Sequence, residues 1–226
     1  MDTVARIIIM AEMHGRDLIR RHIALALLVA LPLSFYLASA SSGPDSVSTG
    51  GVGMAFAVGG AALFSTLSSI EADQRLVLGG YRPIELLVGR LVFLGPLGVL
   101  IAAGFTALMV RISHPENAWL LLLGVAMVAV QSVPFGLAVG AIVPRELEGT
   151  LVLIGVVGIQ LAVGANATVA KVLPFYGPRR LIAESVSGHG TTWGPLLQTA
   201  LYGLGMLIVA RAFVGSRLAV ERHELL

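Results

Sequence analysis

The sequence predicts an all-α polytopic membrane protein with about six transmembrane helices, an N-terminal interfacial helix and a re-entrant segment before the sixth helix. Of its 226 residues, 56% are hydrophobic and only 12% are charged, whereas a soluble domain has about 25% charged residues. The apolar residues come in runs of roughly twenty, which is the length that crosses a hydrocarbon core. These observations predict a single transmembrane domain over residues 1–226.

The N-terminal segment, residues 1–21, is amphipathic. Val4 and Ile7 are among its apolar residues, while Arg16 and Arg20 are among its charged ones. This pattern favours a helix lying in the membrane interface with its arginines near the headgroups. A frayed polar terminus is the alternative.

Six apolar segments are predicted to span the membrane. They are residues 22–40, 51–70, 86–110, 118–143, 151–170 and 195–214. Small residues recur every four positions in two of them, at Gly51, Ala55 and Gly59 and again at Gly136 and Gly140. Such faces let the backbones of two helices approach closely.

A charged segment, residues 71–85, separates the second span from the third. Leu76, Val77 and Leu78 form an apolar patch too short to cross a membrane, and Gly79 and Gly80 then break the chain. Pro83 follows, and proline is favoured at the first position of a helix. We interpret the segment as a short amphipathic helix at the membrane surface, a sharp turn and a helix that enters the bilayer. A solvated connector without a partner is the alternative.

The arginines predict the orientation of the spans. With a cytoplasmic N-terminus, eleven basic residues fall inside: Arg6, Arg16, Arg20, Arg21, Arg75, Arg82, Arg90, Arg145, Arg211, Arg217 and Arg222. Four fall outside: Lys171, Arg111, Arg179 and Arg180. Because basic residues concentrate on the cytoplasmic side, we expect a multi-pass protein of the cell membrane with both termini in the cytoplasm. Residues 171–194, rich in proline and glycine, then form an outer re-entrant segment.

Several kinds of chemistry are not indicated by the residues present. The single lysine, Lys171, is followed by valine, so the chain has no phosphate-binding loop of the Gly-Lys-Ser/Thr type. There is no cysteine, no His-Glu-x-x-His sequence and no acid spaced to orient any of the five histidines. We therefore expect no catalytic residue and no metal site. The basic residues are scattered among span ends, which argues against a nucleic-acid partner.

Three polar residues are predicted to lie at membrane depth: Gln131, Gln160 and Asn166. Each is a candidate for contact with a substrate along a transport path. Hydrogen bonding between neighbouring helices is an equally good interpretation of each residue. The sequence places no clear carboxylate at depth, which argues against a carrier driven by protons or sodium ions.

The pattern resembles the permease subunit of an ABC-2 type transporter, also called the type II exporter family. The matching segments are the acid-containing, then Gly- and Pro-containing stretch Glu71–Arg90, the short charged loop Arg145–Thr150 and the outer stretch Leu173–Pro178. The resemblance covers nearly the whole chain and implies a short interfacial helix, six spans and a cytoplasmic coupling helix after the second span.

The resemblance also implies partners. ATP and Mg²⁺ would bind a separate ABC ATPase subunit, two such subunits would join two permease chains, and the second permease chain would be identical or related. In that family the coupling helix presses into a groove of the ATPase, which implies a contact made by Glu71, Arg75, Leu76, Val77, Leu78, Arg82 and Glu85. Membrane lipid would surround the spans.

The function implied is export of a substrate driven by ATP hydrolysis on the partner. A lipid, a drug, a glycan and a peptide are all compatible with a mostly apolar path. The alternative is a membrane partner that does not transport, such as an immunity or assembly subunit. A membrane-embedded enzyme is a weaker alternative, because it would need acids or histidines that converge at depth.

Overall fold

The structure, a computed structural model, describes residues 3–40, 44–163, 167–188 and 193–220. Every regular element in these ranges is helical. The helices are α1 (Thr3–Arg20), α2 (His22–Ala38), α3 (Pro44–Leu67), α4 (Ile70–Leu78), α5 (Pro83–Ser113), α6 (Ala118–Ile142), α7 (Glu146–Ala162), α8 (Tyr176–Ser187) and α9 (Trp193–Val220), with a 3₁₀ helix, Thr168–Val172, before α8. The predicted all-α fold class is confirmed for this part of the chain.

Within the described ranges, four helices are long and apolar enough to cross a membrane. They are Asp45–Leu67, Pro83–Ser113, Ala118–Ile142 and Trp193–Ser216, and a fifth span is added if the bent pair Thr3–Arg20 and Leu25–Ala38 is counted as one. Helices α2 and α7 have 17 residues each. At 1.5 Å per residue each is about 25 Å long, somewhat less than a hydrocarbon core of about 30 Å. The structure thus has four candidate spans, and the number six stays a prediction.

The helix bounds differ from the predicted spans mainly in two places. Helix α3 begins at Pro44, seven residues before the predicted start of the second span. The predicted fifth span, 151–170, corresponds to α7, which begins at Glu146 and ends at Ala162. Residues 168–172, at the end of the predicted span and beyond it, form the 3₁₀ helix instead.

Helices α3 and α6 form the centre of the bundle and pack with their backbones close together. A Cβ atom on Gly136 would overlap the carbonyl oxygen of Gly59, and one on Gly140 would lie 2.9 Å from the Cβ of Thr66. Gly59 and Gly136, two of the small residues predicted to allow close packing, therefore meet each other across this interface. Helices α5, α8 and α9 pack on other faces of α6, while α2 and α7 pack on α3.

Helix α1 packs along the first half of α5. A Cβ atom on Gly89 would lie 2.6 Å from the Cβ of Met10, and one on Gly15 would lie 3.0 Å from the ring of Phe93. The two glycines, one on each helix, therefore bring α1 close to α5. This contact places the N-terminal helix directly beside the charged segment that precedes α5.

The segment before α9 enters the bundle beside the middle of α6. The ring of Phe175 is buried and meets Phe135 of α6 edge to face, with ring centres 5.6 Å apart. Farther along α8, Ile182 fills the space left by Gly124 of α6. The backbone N–H of Asn117 donates to the carbonyl of Ser185 at 3.0 Å, at the start of α6. Helix α8 therefore runs from the middle of α6 to its N-terminal end.

Candidate functional site at the elbow between α3 and α5

Helix α4, the following turn and the first two turns of α5 form a compact unit, residues 70–90, which we call the elbow. The turn closes α4 with two backbone bonds, from the N–H of Tyr81 to the carbonyl of Leu76 and from the N–H of Gly80 to the carbonyl of Val77, both at 3.0 Å. Gly80 has a φ of 92°, a left-handed conformation that glycine adopts without the penalty of a Cβ atom. This Schellman arrangement fixes the direction in which the chain leaves α4.

The start of α5 is fixed by its own sequence. Pro83 occupies the first helical turn, where its missing N–H costs no hydrogen bond. The carboxylate of Glu85 accepts a hydrogen bond from the backbone N–H of Arg82 at 2.9 Å, which is the acidic half of a capping box. The break between α4 and α5 is therefore a defined turn rather than a flexible connector.

A buried ion pair joins α4 to α5 across this turn. Nη2 of Arg90 donates to Oδ2 of Asp73 at 2.6 Å and also donates to Oγ of Ser69. Arg90 is 1% exposed and Asp73 is 6% exposed. Two of the charges that composition alone would place at the surface thus lie between the chain's own helices.

Burial has a clear effect on the acidic partner. Loss of solvation raises the pKa of Asp73 above its ordinary value, and the neighbouring guanidinium of Arg90 only partly opposes this rise. Nε of Arg90 has no hydrogen-bond partner among the described residues. Removing one member of such a pair leaves the other charge buried without compensation, at a cost of about 3–5 kcal/mol.

Arg6 of helix α1 binds the elbow at the turn between α4 and α5. Its Nη1 donates to the carbonyl of Gly80 at 2.7 Å and lies 3.5 Å from the carboxylate of Glu85. Its guanidinium carbon lies 5.3 Å from the centre of the Tyr81 ring, within the range of a cation–π contact. One arginine of the N-terminal helix thus binds the turn, the capping carboxylate and the adjacent ring.

His14, one helical turn beyond Met10 on α1, lies close to the same ion pair. Burial, reinforced by the positive charge of Arg90 and opposed by Asp17, lowers the pKa of His14 from 6.5 to about 4. Its Nε2 is buried without a hydrogen-bond partner in the described part of the chain. His14 is therefore neutral near pH 7.

The seven residues predicted to contact an ATPase fall into three groups in the elbow. Glu71, Arg75, Leu78 and Arg82 are exposed, and Leu78 is 61% exposed. Leu76 and Val77 are half-buried. Glu85 is buried and bound by Arg82 and Arg6, so it faces the chain's own helices. The elbow therefore has one bonded face and one open face.

Two of the predicted substrate-path residues, Gln131 and Gln160, form hydrogen bonds with the same peptide group. Nε2 of Gln131 donates to the carbonyl of Pro174 at 2.5 Å, and Oε1 of Gln160 accepts from the N–H of Phe175 at 3.2 Å. Both glutamines are buried. We call this arrangement the peptide clamp, because the C=O and the N–H of the bond between residues 174 and 175 are each bound by a side chain from a different helix. The third candidate, Asn166, lies outside the described residues, as does Arg222.

Three more side chains bind backbone atoms near the peptide clamp. Gln198 of α9 donates to the carbonyl of Lys171 at 2.6 Å, and the hydroxyl of Tyr202 donates to the carbonyl of Val172. Arg179 donates to the carbonyl oxygens of Gln160 and Val163, the latter at 2.6 Å. These side chains satisfy four backbone carbonyl groups, those of Gln160, Val163, Lys171 and Val172.

The sequence did not predict the pairing of Asp73 with Arg90. It also did not predict the contact between Arg6 and the turn after α4. The 17-residue separation of Asp73 and Arg90 crosses a turn whose geometry decides which faces meet. The available signal was the position of Arg90, a full turn inside an apolar helix, where an unpaired charge is costly.

Comparison with known proteins adds no relative. No protein-family model matches the chain, and no curated protein matches it. A functional interpretation therefore depends on the elbow, the apolar helices and the sequence resemblance.

Proposed function

We propose that the chain is a membrane-spanning subunit that is moved by a separate energy-supplying protein, and more specifically the permease subunit of an ABC exporter of the ABC-2 type. The observation that carries the proposal is the two-faced elbow. A short helix is bound to a long apolar helix by the Asp73–Arg90 pair, while Leu78 and the charged residues Glu71 and Arg75 remain open on its other face.

The locked face supports a mechanical role. We expect a push on α4 to pass to α5 through the buried pair and the closed turn, which are the bonds that join the two helices. The Gly59–Gly136 contact then couples α3 to α6 at close range. The elbow thus has the rigidity that a lever between an ATPase and the membrane helices requires.

The open face supports a protein partner. Leu78 is the exposed apolar side chain of this face, and Glu71 and Arg75 lie near it at helical spacing, while Leu76 and Val77 are half-buried at the edges of the face. Apolar anchors with charged residues at the rim are typical of a helix that binds in a groove. In the proposal the groove belongs to an ABC ATPase subunit, which binds ATP and Mg²⁺ and hydrolyses the nucleotide.

The proposal includes six spans, with α2 and α7 crossing the membrane beside the four longer helices. Both are 17 residues long and close to the usual minimum for a span. The arginine distribution supports cytoplasmic termini and a cytoplasmic elbow in the cell membrane. A second permease chain, identical or related, completes the transport unit.

Copurification and ATPase coupling test the proposal together. A tagged chain is purified from its native membrane, and the proteins that accompany it are identified by mass spectrometry. We expect an ABC ATPase subunit among them, and we expect its ATP hydrolysis to rise when the complex is placed in lipid nanodiscs. Recovery of the intact chain without any ATPase would contradict the proposal.

Val77→Asp and Leu78→Asp then test the elbow. Each places a charge in the proposed apolar contact, so ATP hydrolysis should fall to the rate of the isolated ATPase while the permease remains inserted and folded. Leu147→Asp is the matched control, because Leu147 is 73% exposed in the first turn of α7. Unchanged stimulation in both elbow variants would show that the coupling contact lies elsewhere. Binding without any ATP-dependent transport would favour the non-transporting partner.

A further inference from the structure

Helix α9 is the least covered of the four candidate spans. Only 17% of its most apolar 18-residue window is buried, against 28% to 72% in the other three. One stripe of this helix, at a spacing of three and four residues, is apolar and exposed and consists of Leu197, Leu201, Leu204 and Ile208. The next position of the same stripe is Arg211, which is also exposed. The stripe therefore changes from apolar to cationic towards the C-terminal end of the helix.

Arg211 carries a charge that the described part of the chain does not neutralise. It forms no ion pair with any described residue. It lies about 8 Å along the helix from Ser216, the last residue of the candidate span. A guanidinium at that depth extends towards the polar headgroups, because its charge is costly in hydrocarbon. The chain thus presents an unpaired cation within reach of the phosphate groups of a leaflet.

A cavity of about 220 Å³ lies beside Arg211, between α9 and the first turns of α5. Its other walls are apolar and come from Pro83, Ile84, Leu87, Val214 and Gly215. Among the described residues that line it, Arg211 is the only charged one, so the cavity favours an anion. The nearby acid Glu85 is buried and already bound by Arg6 of α1. None of the seven predicted ATPase contacts lines the cavity, which is therefore separate from the open face of the elbow.

The dimensions match a phospholipid of the leaflet nearest the elbow. Leu201 lies about 15 Å along α9 from Arg211, and half of a hydrocarbon core of about 30 Å is also about 15 Å. The cavity is smaller than the range of about 300–1,000 Å³ for a complete small-molecule ligand. It therefore has room for a headgroup phosphate, which arginine binds through paired hydrogen bonds, while an acyl chain lies on the stripe.

The charge argues against a second copy of the chain on the same stripe. Two copies in a membrane have the same orientation, so a two-fold contact through this stripe would place both Arg211 side chains at the same depth. Two unpaired cations side by side repel each other. A lipid with a net negative charge neutralises Arg211 instead.

We propose that Arg211 and the cavity beside it bind the phosphate of an anionic phospholipid from the leaflet nearest the elbow. One acyl chain of this lipid lies along Leu201, Leu204 and Ile208. A zwitterionic lipid binds less well, because its headgroup brings a second cation towards Arg211. The site does not depend on an ATPase partner.

Photolabelling tests the role of the charge. The purified chain is placed in phosphatidylcholine nanodiscs that contain a photoactivatable phosphatidylglycerol, which is anionic, or a photoactivatable phosphatidylcholine, and labelled peptides are mapped by mass spectrometry. We expect phosphatidylglycerol to label residues 201–211 about fivefold more than phosphatidylcholine, the change that one arginine beside an anionic headgroup contributes. In Arg211→Gln, labelling by phosphatidylglycerol should fall to the level of phosphatidylcholine.

Arg111→Gln is the matched control for this variant. Arg111 is an exposed arginine near the end of α5 that forms no ion pair with a described residue and does not line the cavity. The control loses the same charge, and its labelling at 201–211 should equal that of the wild type. Equal labelling by the two lipids in the wild type, or an unchanged signal in Arg211→Gln, would overturn the proposal.

Gly215→Leu tests the cavity with little disturbance of the fold. Gly215 lines the cavity, and a Cβ atom built on it meets nothing within 4 Å, so leucine occupies the space of the headgroup. Gly205→Leu is the matched control, since Gly205 is a half-buried glycine of α9 with the same open space and does not line the cavity. We expect a several-fold loss of phosphatidylglycerol labelling in Gly215→Leu alone. Equal labelling in the two variants would overturn the assignment of the cavity.

Ile208→Cys distinguishes a lipid from a second copy of the chain. The sequence has no cysteine, so this variant has a single thiol, in the middle of the stripe. With lipid on the stripe, mild oxidation in nanodiscs should leave the chain monomeric on a denaturing gel without reductant. A disulfide-linked dimer would show that a second copy covers the stripe and would overturn the lipid site.

Discussion

The elbow and the peptide clamp both interrupt helices with polar residues, and they differ in how much of each interruption the chain itself covers. In the elbow, the ion pair and Arg6 bind one face while Leu78 and its charged neighbours remain open. In the peptide clamp, buried side chains bind both polar atoms of the interrupting peptide group. The elbow therefore leaves one face uncovered, whereas at the peptide clamp the chain itself covers both polar atoms of the peptide group.

This contrast also changes the interpretation of the two glutamines. Gln131 and Gln160 were candidates for substrate contact as well as for bonding between neighbouring segments, and the structure shows them bonded to backbone atoms. Each keeps one buried amide atom, Oε1 of Gln131 and Nε2 of Gln160, without a partner in the described ranges. These bonds hold the segment before α8, and contact of the two glutamines with a substrate stays a prediction.

The largest expected effect is at the buried pair of the elbow. Arg90→Met leaves Asp73 buried without its partner, so the free energy of unfolding should fall by about 3–5 kcal/mol. Unfolding in mixed detergent micelles measures the change. Arg145→Met is the control, because its pair with Glu148 is exposed and should contribute less than about 1 kcal/mol.

The double variant Asp73→Leu with Arg90→Met sharpens this test. It removes both charges, and replacement of a buried pair by apolar residues is often close to neutral. We expect most of the loss in Arg90→Met to be recovered. A loss of less than about 1 kcal/mol in the single variant would contradict the rigid connection between α4 and α5.

An intermediate effect is expected at the peptide clamp. Gln160→Leu leaves the N–H of Phe175 buried without an acceptor, which should lower the free energy of unfolding by about 1–3 kcal/mol. Gln198→Leu breaks a comparable bond at an exposed position and should have a smaller effect, because water replaces the lost donor. Equal losses of unfolding free energy in the two variants would contradict the expectation that a buried hydrogen bond contributes more than an exposed one.

A smaller effect is expected from pH through His14. The unfolded chain binds a proton at His14 near pH 6.5 and the folded chain only near pH 4, so the folded state loses stability as pH falls from 6.5 towards 4 and is unaffected above that window. At pH 5.5 the loss should be about 1 kcal/mol. The raised pKa of Asp73 acts in the opposite direction. His14→Gln isolates the contribution of the histidine, and identical pH dependence in the variant and the wild type would contradict it.

The smallest effect on stability is expected at the open face. Leu78→Asp changes a side chain that is 61% exposed, so the free energy of unfolding of the free chain should change by less than about 0.5 kcal/mol. The same thermal or detergent unfolding assay measures it. A loss comparable to that of Arg90→Met would mean that the open face packs against the chain and is not available to a partner.

The sequence predicted those features that depend on neighbouring residues. The amphipathic helix, the Gly79–Gly80 turn and the helix start at Pro83 all follow from local propensities, and α4 and α5 begin and end accordingly. The small residues at Gly59 and Gly136 were correctly expected to permit close packing. These signals lie within one or two helical turns or in a simple repeat.

The features that the sequence did not predict depend on distant contacts. Gln131 and Pro174 are far apart in the chain, and their pairing depends on how α8 packs on α6. Arg179, which follows the apolar run, donates to the carbonyl groups of Gln160 and Val163 at the end of α7, a contact between distant residues. Hydropathy continues through that point, so a pattern of apolar residues alone extends the helix too far.

The contact between Gly59 and Gly136 has a consequence for biosynthesis. Gly136 leaves the ribosome 77 residues after Gly59. Helix α3 is therefore made before α6, the helix that packs against Gly59. Helix α3 is also more covered by its neighbours and has a lower mean hydropathy than α5. During insertion, the face of α3 around Gly59 therefore stays without this neighbour until α6 has been made.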